Sequence, residues 1–278
     1  MDKLNIVAVL AHPDDESFGM GGTLALYSGL GHKVSLICAT RGEAGTVDEH
    51  FMDGFSSIAE LRESELRCAA AHLGLHELVL LDHRDSGMPG SADNAHPQAH
   101  INQPVESVAA EVVGHIRRLK ADVVLTFDPI GGYRHPDHIH IHNATNIAFE
   151  KCSDLTFGPT EHGGHQPSYL YYHTIPRGFM RFGVRLIRLF GGDPSRWGRN
   201  KDIDLESLAN VSFPTHLQID YSKVGDKKTA ASACHASQGG AQMRKGFLGF
   251  VFRFFGEKDT YMQAYPPVSD DAPIRYGF

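Results

Sequence analysis

Four short, almost wholly apolar runs dominate the first half of the chain: LNIVAVL (4–10), KVSLICAT (33–40), ELVLLD (77–82) and DVVLTFD (122–128). Each is brief, rich in β-branched residues and bounded by turn residues, as a strand buried on both faces should be. Between and after them lie stretches with helical spacing, at 18–29, 56–74, 104–119 and 137–151. Gly29 and Gly31 stop the first, Gly74 stops the second, and Pro104 opens the third. This alternation predicts an α/β fold: a Rossmann-like, doubly wound, mostly parallel sheet with helices on both faces. After about residue 155 the pattern loosens into a loop at 156–167, strands at 168–175 and 215–220, and a helix at 221–238. No internal repeat or low-complexity linker interrupts the 278 residues. The chain therefore reads as a single domain, with 1–155 as the Rossmann-like core and 156–278 as a C-terminal elaboration.

In open parallel sheets, ligands bind beyond the carboxyl ends of the strands. All four predicted strands run into polar clusters at that end: AHPDDE (11–16), TRGEAG (40–45), DHRDSGM (82–88) and DPIGGYRHPDH (128–138). Folding alone does not require four such clusters on one rim. Asp14, Asp15 and Glu16 repel one another at the mouth of the sheet, and a bound cation would supply the reason for placing them there.

A hydrolytic divalent metal needs a few protein ligands and an open position for water. His12 and Asp15, three apart, face the same way if a helical turn begins there. The rim of the fourth strand offers His135, Asp137 and His138. Two histidines and a carboxylate suit zinc or ferrous iron. Asp14, adjacent but off the metal, would be free to act as a general base.

The motif pair AHPDDE and HPDH, with TRGEAG, LRESEL, RDSGM, DPIGGYRHPDH and HASQ in the same order, resembles the PIG-L (LmbE-like) metal-dependent deacetylases. The resemblance spans residues 4–150 and a patch near 223–238, and is nearest to the mycothiol-pathway branch. It implies a zinc-dependent N-deacetylase, a hydrolase of linear amide C–N bonds acting on a small N-acetylglucosamine-type substrate. It assigns His12, Asp15 and His138 to the metal and Asp14 to the general base. His135 would stabilise the oxyanion or protonate the leaving amine. Tyr133 would hydrogen-bond the tetrahedral intermediate, and Asp137 would orient a ligating histidine. Arg62 and Asp85 match polar residues near the sugar, and Glu43 is a further candidate contact. Arg134 departs from the small residue expected before the second motif, so it bears on substrate identity. An amidase for a larger acyl or thiol conjugate, and a catalytically silent metal- or carbohydrate-binding protein, are the alternatives.

Composition narrows the remaining classes. A formal net charge of −7 argues against a nucleic-acid partner. The N-terminal apolar run is too short to cross a membrane and lacks a cleavage site, which points to a cytoplasmic protein with no integral membrane segment. A homo-oligomer is compatible with the sequence. Cys38, Cys68, Cys152 and Cys234 are widely spaced with no C-x-x-C pair, so free thiols are expected. Gly19 and Gly21 begin a dinucleotide fingerprint, but Leu24 stands where its last glycine belongs. Asp128 reads as a turn residue, and His140 and His142 as packing or surface histidines. Lys227, His235, Ser237 and Gln238 either buttress the rim or touch substrate. Arg177, Arg181, Arg185 and Arg188 recur at helical spacing, which reads first as a solvated basic stripe on a packed helix, with a membrane-surface face, a polyanion contact or a substrate lid as the alternatives. The aromatic segment 244–257 fits core, a subunit interface or an acceptor site.

Overall fold

The computed structural model describes residues 3–197, 203–241 and 257–278. Its strands are β1 (Asn5–Leu10), β2 (Lys33–Thr40), β3 (Glu77–His83), β4 (Val123–Phe127), β5 (Tyr169–Thr174), β6 (Leu217–Asp220) and β7 (Lys258–Tyr265). They form one sheet in the order β3-β2-β1-β4-β5-β7-β6. The pairings from β3 through β5 are parallel, while β7 runs antiparallel to both β5 and β6. This is the mostly parallel α/β sheet that the apolar runs predict. The three strands after residue 156 extend that same sheet.

The helices are α1 (Asp15–Phe18), α2 (Gly21–Gly29), α3 (Ile58–Leu73), α4 (Val105–Leu119), α5 (Gly131–Arg134), α6 (Pro136–Lys151), α7 (Arg177–Leu189), α8 (Leu205–Leu208) and α9 (Gly225–Cys234). α4 and α6 pack on each other and against β1, while α2, α3 and α9 pack together as a second group. Local chemistry explains the limits of α3. The Ser57 side chain accepts from the Glu60 N–H at its start, and the Glu60 carboxylate accepts from the Ser56 N–H. Gly74 closes it in the left-handed region. In α4, Val108, Val112, Val113 and Ile116 are fully buried, at the spacing of one helical face.

Several expectations shift. The helix expected over 18–29 is two helices, α1 and α2, broken at Gly19 and Met20. The break lets α1 begin earlier, at Asp15, directly after the end of β1. β7 was not anticipated. Residues 244–256 of the aromatic segment lie outside the described residues. The expectation of four free thiols fails at two positions: Cys68 and Cys234 are joined as a disulfide, while Cys38 and Cys152 are free and buried. The packing of α9 on α3 brings their Cα atoms to 5.8 Å across 166 residues of sequence, a proximity that spacing cannot reveal. Cysteine spacing therefore carries no weight for the compartment. No helix among the described residues is long and apolar enough to cross a membrane.

The sheet order places the reversal of winding between β1 and β4. From β1 the chain winds outward to β2 and β3, and from β4 it winds the other way to β5. A crevice opens beyond the strand ends at such a switch point. The segments leaving β1 and β4 are those that carry AHPDDE and HPDH.

Candidate active site

The chain leaves β1 through Ala11 and turns at once into α1. Asp14 makes that turn in the left-handed region, at φ 117°, a strained conformation for a residue with a side chain. Across the crevice, His135 caps α6, its Nδ1 accepting from the Asp137 N–H, and Pro136 takes the first helical position. The first turn of α6 then presents Asp137 and His138. The two turns bring together His12 at 5% exposure, His138 at 1%, and the nearly buried carboxylate of Asp15.

Three donor groups meet there. His12 Nδ1 lies 3.2 Å from His138 Nε2. The Asp15 carboxylate lies 3.5 Å from the first and 3.3 Å from the second. The opposite ring nitrogens are already engaged. His12 Nε2 faces the carboxylates of Asp137 at 3.1 Å and Asp85 at 3.4 Å, and His138 Nδ1 faces the Gly131 carbonyl at 3.2 Å. Those oxygens only accept, so the outer nitrogens carry the hydrogens. The two inner nitrogens of neutral rings then present lone pairs to each other and to a carboxylate. Only a proton or a cation relieves that arrangement. Consistently, although burial alone would lower it, Asp85, Asp137 and Asp15 raise the His12 pKa well above its usual value. Tetrahedral ligands about 2.05 Å from zinc stand about 3.3 Å apart, the spacing seen here. The donor set fits a divalent metal.

Two other groups also bring metal-capable atoms together: His12 with His135 and His138, and His12 with Asp85 and Asp137. Their extra members also have other partners, although the second oxygen of Asp137, Oδ1, is buried with none among the described residues. Asp85 accepts from the Gly87 and Ala44 N–H groups, and Asp137 accepts from the Ser86 N–H. His135 Nδ1 is held by its capping bond. Burial, with His12 and His138 nearby, pushes the His135 pKa well below the usual value, so the ring is neutral. Tyr133 stands edge-on to both His135 and His138, with ring centroids 5.8 and 5.0 Å away. Phe127 stacks on His138 at 3.9 Å and fixes its plane.

Asp14 is poised for proton transfer. Burial pushes its pKa up to about 7, against the opposing Arg62 guanidinium. Arg62, itself buried, donates to Asp14 Oδ2 at 3.0 Å, to the Pro13 carbonyl at 2.6 Å and to the Gly42 carbonyl at 2.9 Å. Gly42 has positive φ, and a Cβ there would sit 2.1 Å from the guanidinium, so this loop accepts only glycine.

The structure thus places Arg62 and Asp85 beneath the rim, holding Asp14 and His12. The sequence suggested the sugar for both. Glu43 also faces inward and accepts from the Asp85 N–H. Arg134, directly before His135, is exposed, at φ 68°. Asp128 accepts from the Ile130 and Gly132 N–H groups and makes a turn. His142 bonds to the Phe127 carbonyl and Asn146, away from the donors.

Of the two readings open for His235 and Ser237, the contacts are those of a buttress, and sequence reasoning missed only its partners, Glu16 and Glu65. Glu16 is fully buried; one oxygen faces His235 Nε2 at 2.7 Å and the other accepts from the Asp14 N–H. Glu65 accepts from both the N–H and the hydroxyl of Ser237. The HASQ stretch therefore braces AHPDDE and LRESEL. The signal was present in the acids flanking those motifs, but only contact across the fold pairs them.

Two imidazoles and a carboxylate beyond the strand ends at a winding switch point, with Asp14 beside them, are a donor set of the kind a metal-dependent hydrolase uses. The chain belongs to the GlcNAc-PI de-N-acetylase (PIG-L) family, whose model matches residues 7–149. It is 33% identical over 243 residues to the 1D-myo-inositol 2-acetamido-2-deoxy-alpha-D-glucopyranoside deacetylase of Acidothermus cellulolyticus, covering 84% of this chain and 79% of that one. Its fold is similar to that of the N,N'-diacetylchitobiose deacetylase of Pyrococcus horikoshii, with a TM-score of 0.61 at 19% identity over 94% of this chain and 84% of that one. A 4-carboxy-2-hydroxymuconate hydratase from Pseudomonas putida KT2440 is as similar in fold, with a TM-score of 0.62 at 18% identity over 98% and 100%. The fold alone therefore does not choose the reaction.

Proposed function

We propose that this protein is a metal-dependent N-deacetylase that hydrolyses the acetamide of an N-acetylglucosamine-type substrate to the free amine and acetate. The observation that carries it is the buried triangle of His12 Nδ1, His138 Nε2 and the Asp15 carboxylate, with Asp14 beside it at a pKa of about 7. Zinc or ferrous iron held by these three residues would supply a Lewis acid, polarising the acetamide carbonyl and acidifying a water.

The remaining steps fall to the chain's own side chains. Asp14 takes the proton of the attacking water, as a base matched to neutral pH should. Arg62 and the Glu16 carboxylate fix its position through its side chain and its N–H. Asp85 and Asp137 hold His12 in the tautomer that turns Nδ1 inward. His135, whose Nδ1 accepts from the Asp137 N–H, donates from Nε2 to the developing oxyanion beside Tyr133, and the proton taken up by Asp14 is the one returned to the departing amine. Arg134, exposed next to His135, would meet the group attached to the sugar.

Amine release from free N-acetylglucosamine, its inositol and malate conjugates, and chitobiose, measured with metal-loaded wild type and Asp14→Asn, tests this reading. Wild type should turn over at least one member, and Asp14→Asn should be slower by about 10²–10⁴-fold while keeping its metal. A wild type that carries metal and releases no amine would contradict the proposal and favour a larger acyl substrate or a silent binding protein.

A further inference from the structure

Away from the rim, a second cluster of metal-capable side chains spans α3 and α9. Cys68 and His72 lie four residues apart on α3, so they occupy one face, a turn from each other. Cys234 ends α9, which packs on α3. One ligand atom from each of the three lies within 4.8 Å of the other two. Cys68 and His72 are exposed and Cys234 is half-buried, so solvent, small thiols and solvated ions reach the group. In the structure the two sulfurs are bonded to each other.

We propose that Cys68, His72 and Cys234 form a second metal site, for a thiophilic cation such as Zn2+, which is closed by the disulfide and opened by its reduction. Two thiolates and an imidazole select a soft or borderline cation over magnesium or calcium. Zinc-bound sulfurs stand about 3.8 Å apart, from Zn–S bonds of about 2.3 Å. With the Cα atoms already 5.8 Å apart, side-chain rotation reaches that spacing and the backbone stays in place. Three protein ligands leave a fourth position facing solvent.

The chemistry balances with a low-molecular-weight thiol, RSH, as reductant. Two RSH reduce the protein disulfide to two cysteine thiols and leave as RSSR. Zn2+ then takes both sulfurs as thiolates with one nitrogen of His72, and two protons go to solvent. Closing the site requires loss of the ion and a disulfide, RSSR, that accepts the two electrons and two protons as two RSH. Either closure ties α3, which carries Arg62 and Glu65, to the end of α9, from which the chain enters His235 and Ser237.

The test is titration of the full chain with Co2+, before and after reduction by a dithiol that is then removed without air, reading thiolate-to-cobalt charge-transfer absorption. The disulfide form should give no such band. The reduced form should give one that saturates by two equivalents, because the rim donors His12, Asp15 and His138 take up an ion that gives no thiolate band. Cys234→Ser should abolish the band; Cys68→Ser, at an exposed position, serves equally if the first variant does not fold. His72→Ala should weaken binding by more than about 100-fold, since losing an outer partner alone costs about 10–100-fold. The proposal fails if reduced wild type shows no band, if either serine variant keeps it, if His72→Ala binds normally, or if four free thiols are counted before reduction. None of these outcomes depends on deacetylase activity, because only thiolates produce the band.

Discussion

The rim between β1 and β4 and the surface of α7 hold charged residues under opposite conditions. At the rim, His12, Asp85, Asp137 and His138 are buried, and each meets a partner of opposite character. On α7, Arg181, Arg185 and Arg188 are exposed, Leu189 and Phe190 are 76% and 72% exposed, and the Arg188–Glu206 pair lies in water. A charge taken out of water must be paired, and the pairing fixes its position; a solvated charge constrains almost nothing. The charges at the rim are therefore fixed in place by their partners, while those on α7 are solvated.

Replacing Arg62 with Met should break the rim most severely. It removes three hydrogen bonds and leaves Asp14 buried beside unpaired carbonyls, a loss of about 3–5 kcal/mol in a denaturant melt. A sugar-contacting Arg62 would instead raise KM and leave the melt unchanged. His235→Ala comes next. It frees Glu16 from its 2.7 Å partner, loosens the Asp14 turn, and should lower kcat by about tenfold with metal content preserved.

Acid provides a milder probe. Burial lowers the pKa of His173, which packs beside Tyr261, to about 4. Its unfolded value is near 6.5, so between those values the unfolded chain binds the extra proton. The contribution of His173 to stability should then fall as pH drops from about 6.5 to about 4, by at most roughly 3 kcal/mol, opposite in sign to the contribution of Asp14, whose raised pKa favours the folded chain as pH falls over the same window. His173→Gln should flatten that slope in melts recorded across the range. At the other end of the scale, Arg185→Glu on α7 should change stability by less than about 0.5 kcal/mol and leave kcat alone. A large effect there would mean that α7 is not a merely solvated face.

What could be read from the sequence follows the same division. The strand ends and the motifs HPDDE and HPDH are local features, so the rim and its donors were legible. The inward turn of Arg62 and Asp85 was not, because it depends on which carbonyls and histidines the packed fold leaves beneath the rim. Glu16 with His235 and Cys68 with Cys234 join residues far apart in sequence, and neither member of either pair marks its partner. β7 escaped notice because its pairing with β5 and β6 is what makes it a strand.

The metal centre itself is tested most directly by stripping the disulfide form with a chelator and adding back zinc or ferrous iron while following metal content and amine release together. Turnover should vanish on stripping, return in proportion to one bound equivalent, and fail to return in His138→Ala. Full turnover by stripped protein, or by His138→Ala, would contradict a reaction that depends on His12, Asp15 and His138 holding a metal.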